Sequence, residues 1–151
     1  MRNILKYKFV ALIAAFMIAS CENKLDEKIA VKVYKILTVE EWQMAQQSGE
    51  IITELDQRDG FIHLSTANQL AGTLSFYFDR FEHLILLEFE TLELGDKLIF
   101  EEPIPRGERL GKFPHYYAEL ETKTVSRFWE IKRNGFLLPK EVLVYSENFK
   151  T

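Results

Sequence analysis

The chain has little cysteine, proline and glycine: one Cys, four Pro and seven Gly in 151 residues. A single Cys excludes an internal disulfide and a Cys-based zinc site. The low Gly and Pro content, with 47% hydrophobic and 28% charged residues, excludes collagen-like and disordered chains. A formal net charge of −4 argues against a protein that coats DNA or RNA. Twelve Phe and six Tyr instead predict one globular domain with a well-filled core.

The first 20 residues differ from the rest in charge and hydropathy. They contain three basic residues, Arg2, Lys6 and Lys8, and no acidic ones, and an apolar run follows over 9–18. A basic start followed by a short apolar run is typical of a secretory signal peptide. The run is shorter than the roughly 20 apolar residues that span a bilayer. We therefore predict that residues 1–20 are a signal peptide.

Residues 18–21, Ile-Ala-Ser-Cys, resemble the lipobox of bacterial lipoproteins. In a lipobox the Cys is acylated and the signal is cut before it, so Cys21 is the expected lipidation site. Residues 21–28 are polar and predict a tether from the lipidated Cys21. The expected location is the cell envelope, lipid-anchored to a bacterial membrane. The alternative is a buried helix that ends in an accidental Cys.

Residues 29–151 are predicted to form a single α+β domain. Alternating apolar residues over 29–37 indicate a first strand. Thr38 and Glu41 have the spacing of a capping box, so a helix is expected from there to about Gln47. A second capping box at Thr66 and Gln69 opens a helix with apolar positions at Leu70, Leu74, Tyr77 and Phe81. The other expected strands are 61–64, 84–89, 98–100 and 125–131, and the run 142–145 closes the domain.

His63 is the first candidate site residue. It follows a turn at Asp59-Gly60 and shares a strand face with Phe61. Ser65 and Thr66 come next, where a helix start offers free N–H groups to an anion. These groups could hold a phosphate or a ribose. The alternative, a core His bonded to a backbone carbonyl with the hydroxyls capping the helix, is equally open.

Residues 113–117, Phe-Pro-His-Tyr-Tyr, are the second candidate. His115 and Tyr116 have rings that could stack on a base or a sugar. An aromatic plug that closes one end of the domain is the interpretation that residue type alone favours. Glu101 and Glu102 could add a carboxylate, although exposed acidic residues are usually solvated. The residues predict no metal site, since no His pair has metal-binding spacing.

Residues 34–139 resemble the domain-of-unknown-function family 952. Its pattern matches here at Tyr34, Trp42, Ala45, Gly49, residues 60–65, Gln69, residues 86–87, Glu101, residues 113–116, residues 135–136 and residues 138–139. The resemblance implies an ADP-ribosyltransferase-like fold, a split β structure with a cleft and two short helices near the N-terminal half. Residues 62–66 are also similar to a segment of RNA 2′-phosphotransferases, in which the His belongs to the pocket for an ADP-ribose-linked ligand.

The resemblance implies a nucleotide-like ligand, NAD or ADP-ribose, bound by Lys35, His63, Ser65, Thr66, His115 and Tyr116. In this scheme His63 orients a ribose hydroxyl and is the candidate catalytic residue. Lys35 stands where relatives often have His, and no residue matches the catalytic Glu of mono-ADP-ribosyltransferases. ADP-ribosyl transfer is therefore left open. The alternative function is a non-catalytic envelope module that binds a protein or a glycan.

Overall fold

The computed structural model describes residues 32–103, 111–132 and 138–148. These form six strands and five α-helices, so the expected α+β class is confirmed. The strands are β1 Lys32–Thr38, β2 Ile62–His63, β3 His83–Glu90, β4 Leu98–Glu101, β5 Phe113–Tyr116 and β6 Arg127–Lys132. The helices are α1 Val39–Ser48, α2 Glu54–Asp59, α3 Leu70–Tyr77, α4 Thr91–Leu94 and α5 Lys140–Asn148.

The strands form two antiparallel three-stranded sheets. The first has the order β1-β3-β6 and the second the order β2-β5-β4. A bridge between Tyr34 and Ser65, with N···O distances of 2.8 Å in both directions, connects β1 to the segment that follows β2. This bridge holds the short strand β2 beside the long first sheet.

Both faces of the first sheet are buried along β1 and β3. Side chains of one face, including Val33, Leu37 and Phe89, pack with Ile62 of β2 and with Leu64, which follows that strand. The opposite face is covered by α3 and α5 through another set of buried residues, which includes Tyr34, Ile36, Leu70, Leu74, Leu86 and Val142. Buried apolar area of this kind is the main stabilising contribution to such a fold. The first sheet is therefore the middle layer of the domain.

Capping residues determine where the first two helices begin and end. Thr38 and Glu41 form the predicted capping box of α1. Thr53 and Asp56 form a further capping box at the start of α2. Gly60 ends α2 with a left-handed φ of 80°, a conformation that other residues adopt at a cost. The chain therefore turns sharply from α2 into β2.

Four parts of the structure differ from the predicted elements, and one of them is the short helix α4, which was not predicted. The turn expected at Asp59-Gly60 is the end of a helix, α2, whose sequence has little apolar periodicity and shows no helical signal beyond its cap. The helix expected to reach Phe81 ends at Tyr77. The closing run 142–145 lies in α5 rather than in a strand. Val142 is buried there, because helical spacing turns it toward α3 and the first sheet.

The predicted signal peptide and tether, residues 1–28, lie outside the described residues. Within the part of the chain that the structure describes, no helix is long and apolar enough to cross a membrane.

Candidate functional site

His63 and His115 are direct neighbours on adjacent strands. They are paired in the antiparallel register of β2 and β5. Because side chains alternate along a strand, Ile62 and Leu64 enter the core while His63 points to the other face. The two imidazole rings lie with centroids 5.4 Å apart, edge to face. Phe61 stacks on His115 at 4.2 Å and lies 4.6 Å from His63, so three rings form one aromatic cluster.

Asp56 is the carboxylate that contacts His63 of this cluster. Its side chain is fully buried, and Lys35 Nζ donates to its two oxygens at 2.8 and 2.6 Å. The backbone N–H of His63 donates to Asp56 Oδ1 at 2.9 Å, and His63 Nδ1 lies 3.0 Å from the same oxygen. The hydroxyl of Thr53 donates to Oδ2 at 2.7 Å. One carboxylate therefore joins β1, α2 and β2.

The charge state of Asp56 follows from these contacts. Burial alone would raise the pKa of Asp56, but the hydrogen bonds from His63 and the charge of Lys35 outweigh it and hold the pKa well below its usual range. Since an ionised carboxylate can only accept hydrogen bonds, His63 Nδ1 carries a proton. The orientation and the donor side of the His63 ring are thereby determined.

The other side of the His63 ring faces outward. Its side chain is 31% exposed, and Nε2 lies 3.3 Å from Asp59 Oδ2. Asp59 is 29% exposed and accepts a hydrogen bond from Arg58 Nε at 2.9 Å. That hydrogen bond lowers the pKa of Asp59. An imidazole nitrogen and a carboxylate oxygen thus lie side by side at the surface.

His115 has a carboxylate partner of its own, Glu101. Nδ1 lies 2.8 Å from Glu101 Oε1, and the hydroxyl of Tyr117 donates to the same oxygen. Burial lowers the pKa of His115, the hydrogen bond to Glu101 opposes this, and His63 adds to it. The hydrogen bonds from Tyr117 and His115 lower the pKa of Glu101. Burial is the largest of these effects, so the pKa of His115 lies below its ordinary value.

The structure brings together three of the predicted site residues, Lys35, His63 and His115. Ser65 is buried, and its hydroxyl bonds to that of Thr73 at 3.0 Å. Thr66 forms the predicted capping box with Gln69. Tyr116 pairs with Ile62 and packs against the core, on the opposite strand face from His115. The side chains of Ser65, Thr66 and Tyr116 are thus engaged away from the two imidazoles.

Sequence reasoning missed two residues and gave a third little weight. Asp56 and Asp59 both lie on α2, which was not predicted, and both contact His63. The capping-box spacing of Thr53 and Asp56 was the available signal. Glu101, expected to be merely solvated, is 38% exposed and binds His115. Among the described residues, no group of three or more His, Cys, Asp or Glu is arranged to hold a metal ion.

This arrangement offers hydrogen bonds and a flat apolar surface at one place. His63 Nε2 and Asp59 Oδ2 lie at the surface, and Phe61 and His115 form the aromatic wall beside them. Such a combination suits a small ligand with hydroxyl groups and a planar ring.

The comparisons with known proteins identify the class of domain. The family model described as a protein of unknown function (DUF952) matches residues 36–128, and the chain belongs to this family. The crystal structure of protein CC0527 from Caulobacter crescentus is 30% identical, covers 76% of this chain and 98% of its own, and has a TM-score of 0.64. The solution NMR structure of CC0527 is 34% identical over 68% of this chain and 85% of its own, with a TM-score of 0.59. No curated protein matches.

Proposed function

We propose that this domain binds an ADP-ribosyl ligand, ADP-ribose or NAD, through His63. The observation that carries the proposal is the fixed orientation of the His63 ring. Asp56 holds both the backbone N–H and the Nδ1 atom of this residue, while Nε2 faces outward. A preoriented imidazole binds a hydroxyl without losing side-chain freedom on binding.

The fold supports the same ligand. Two small antiparallel sheets, joined by the bridge between Tyr34 and Ser65, agree with the split β structure of the ADP-ribosyltransferase-like class that residues 62–66 resemble. His63 ends the short strand β2 beside that bridge. We therefore assign the domain to that class as part of the proposal.

The roles of the other residues follow from their contacts. Phe61 and His115 offer a planar surface for the base or the nicotinamide ring. Lys35 acts through Asp56, because its ammonium group is bonded to that buried carboxylate. We assign no transfer chemistry, because no residue of this chain matches the catalytic Glu of the mono-ADP-ribosyltransferases.

Calorimetry with ADP-ribose and NAD tests the proposal. The unmodified chain should bind at least one of them, and His63→Ala should weaken binding about tenfold or more, as expected for loss of a hydrogen bond that orients the ligand. His83→Ala is the matched control, because His83 is exposed and bonded to Glu130 on another strand. No nicotinamide should be released from NAD.

Two results would contradict this function. Absence of binding to both ligands would leave the non-catalytic envelope module, which binds a protein or a glycan, as the better interpretation. Rapid nicotinamide release would show instead that the domain is a working transferase or hydrolase.

The proposal also includes a lipid anchor at Cys21, which lies outside the described residues. Cys21→Ser should abolish labelling by a radioactive fatty acid and should release the protein from the membrane fraction. Retention of the variant in the membrane fraction at the unmodified level would exclude the anchor.

A further inference from the structure

We propose that strand β6 is an interaction surface and that its partner is β6 of a second copy of this chain. The two strands pair antiparallel around a two-fold axis at Phe128. The first sheets of the two copies thereby join into one continuous antiparallel sheet of six strands. This surface uses none of the residues to which the proposed function assigns a role.

The outer side of β6 has no partner strand in the part of the chain that the structure describes. The strand lies at one end of the order β1-β3-β6, and its ladder runs to β3. At the other end of this sheet, β1 is bridged to Ser65 through Tyr34. The edges of the second sheet are strands of two and four residues, whereas β6 has six. An edge strand presents unpaired N–H and C=O groups to which another strand can bind.

Phe128 is a large apolar residue at this edge. It is 58% exposed, although Leu87, which faces it on β3, is fully buried. Its ring lies 5.8 Å from that of Trp42 on α1, so Trp42 covers only part of it. The strand also contains no Pro, a residue that keeps many natural sheet edges from pairing. A second strand laid along β6 would remove the exposed ring from water.

Symmetry leaves few registers for pairing β6 with its own copy. A two-fold axis normal to the sheet places one residue opposite itself, and facing residues point to the same face. An axis at a charged residue such as Glu130 would set two like charges opposite each other, which destabilises a strand pair. An axis at Trp129 would set each Phe128 ring against a Glu130 carboxylate. An axis at Ile131 would pair only the last three residues of each strand.

An axis at Phe128 gives compatible contacts at each position from Ser126 to Glu130. The two Phe128 rings face each other, and aromatic cross-strand pairs stabilise a sheet. On the other face, Arg127 of each copy lies opposite Trp129, where a guanidinium can pack on the indole ring. Ser126 lies opposite Glu130 and can donate a hydrogen bond to it. The strand is therefore complementary to itself in this one register.

The oligomeric state of the full chain in detergent tests the proposal. Analytical ultracentrifugation should show a dimer at micromolar concentration. Phe128→Glu sets two carboxylates opposite each other at the axis and should weaken dimerisation at least about tenfold. Met44→Glu is the matched control, because Met44 is 60% exposed on α1 and the charge change is the same. The control should leave the dimer unchanged.

Disulfide formation tests the register itself, and does so even where Phe128→Glu lowers the stability of the fold. Phe128→Cys places one thiol opposite its own copy, at a Cα separation of about 4.5–5.5 Å that suits a disulfide. Mild oxidation should therefore cross-link two chains of Phe128→Cys and should not cross-link Met44→Cys. Cys21 is present in both variants, so the comparison separates the introduced thiol from the native one.

Three results would overturn the proposal. A monomeric unmodified chain would leave the β6 edge to another partner or to solvent. A dimer that Phe128→Glu leaves intact would use a different surface. Equal cross-linking of Phe128→Cys and Met44→Cys, or none of either, would exclude a two-fold axis at Phe128.

Discussion

The two imidazoles of the site have the same kind of partner in very different surroundings. His63 Nδ1 lies 3.0 Å from Asp56, whose side chain is fully buried and paired with Lys35. His115 Nδ1 lies 2.8 Å from Glu101, which is 38% exposed and has Tyr117 as its other partner. The partly exposed His63 is thus bonded to a buried carboxylate, whereas the buried His115 is bonded to an exposed one.

The difference shows which contact stabilises the fold and which changes the electrostatic environment of a site residue. A buried charge must keep its partners, because losing one leaves an uncompensated ion in a medium of low polarity. An exposed pair is screened by water, and its loss costs little. Asp56 is therefore a structural group that also orients His63, whereas Glu101 mainly sets the electrostatic environment of His115. Four experiments test this contrast.

The largest expected effect is the loss of stability on removing Asp56. Asp56→Ala leaves Lys35 buried without its counter-ion, so we expect the free energy of unfolding to fall by about 3–5 kcal/mol. Glu101→Ala is the matched control and should cost less than about 1 kcal/mol. Urea unfolding at pH 7 measures both. Equal losses for the two variants would show that the burial difference does not matter.

Acid should lower the free energy of unfolding mainly by protonating Asp56. Its pKa is lowered in the folded state, so its stabilising contribution is present above the unfolded value of about 4 and is lost as the pH falls below that value. The unmodified chain should therefore lose more stability between pH 6 and pH 2 than Asp56→Asn does. Glu101→Gln should show most of the pH dependence of the unfolding free energy that the unmodified chain shows. A steeper pH dependence in Asp56→Asn would show that Asp56 is not the main acid-sensitive group.

Removal of His115 should mainly reduce stability, whereas removal of His63 should mainly reduce ligand binding. His115→Ala removes a buried ring stacked on Phe61 and should cost about 1–3 kcal/mol of unfolding free energy. His63→Ala should cost about 1 kcal/mol or less, since its ring is partly exposed, while ligand binding is lost. Thermal unfolding and calorimetry on both variants give the comparison. A larger stability loss for His63→Ala would support the interpretation of His63 as a core residue.

The smallest expected effect is on the titration of His115. Glu101 opposes the lowering of the His115 pKa by burial, so Glu101→Gln should lower that pKa further. Glu93→Gln, which removes an exposed carboxylate on α4, should leave it unchanged. Imidazole resonances followed over pH measure the difference. A rise in the pKa of His115 in Glu101→Gln would exclude this role.

The α+β class, helix α1 and three residues that lie together in the site could be predicted from sequence patterns. Alternation along β1, the apolar run of β3 and the shared face of Phe61 and His63 are local properties, so they could be predicted from their own residues. The capping boxes at Thr38 and Thr66 were equally local. The motifs around His63 and His115 predicted that both would matter, without predicting that their rings lie 5.4 Å apart.

The partners of these residues depend on contacts between elements that are distant in sequence. Lys35 and Asp56 are 21 positions apart, and His115 and Glu101 are 14 apart, so neither pair follows from a local pattern. The register of β2 with β5 places His63 beside His115, and the bridge from Tyr34 to Ser65 brings Lys35 near them. Helix α2 shows little apolar periodicity because it contributes one buried residue, Asp56, to the interior. The charge contacts of Asp56 that stabilise α2 come from other elements and not from the helix itself. Such a helix therefore cannot be predicted from its own residues.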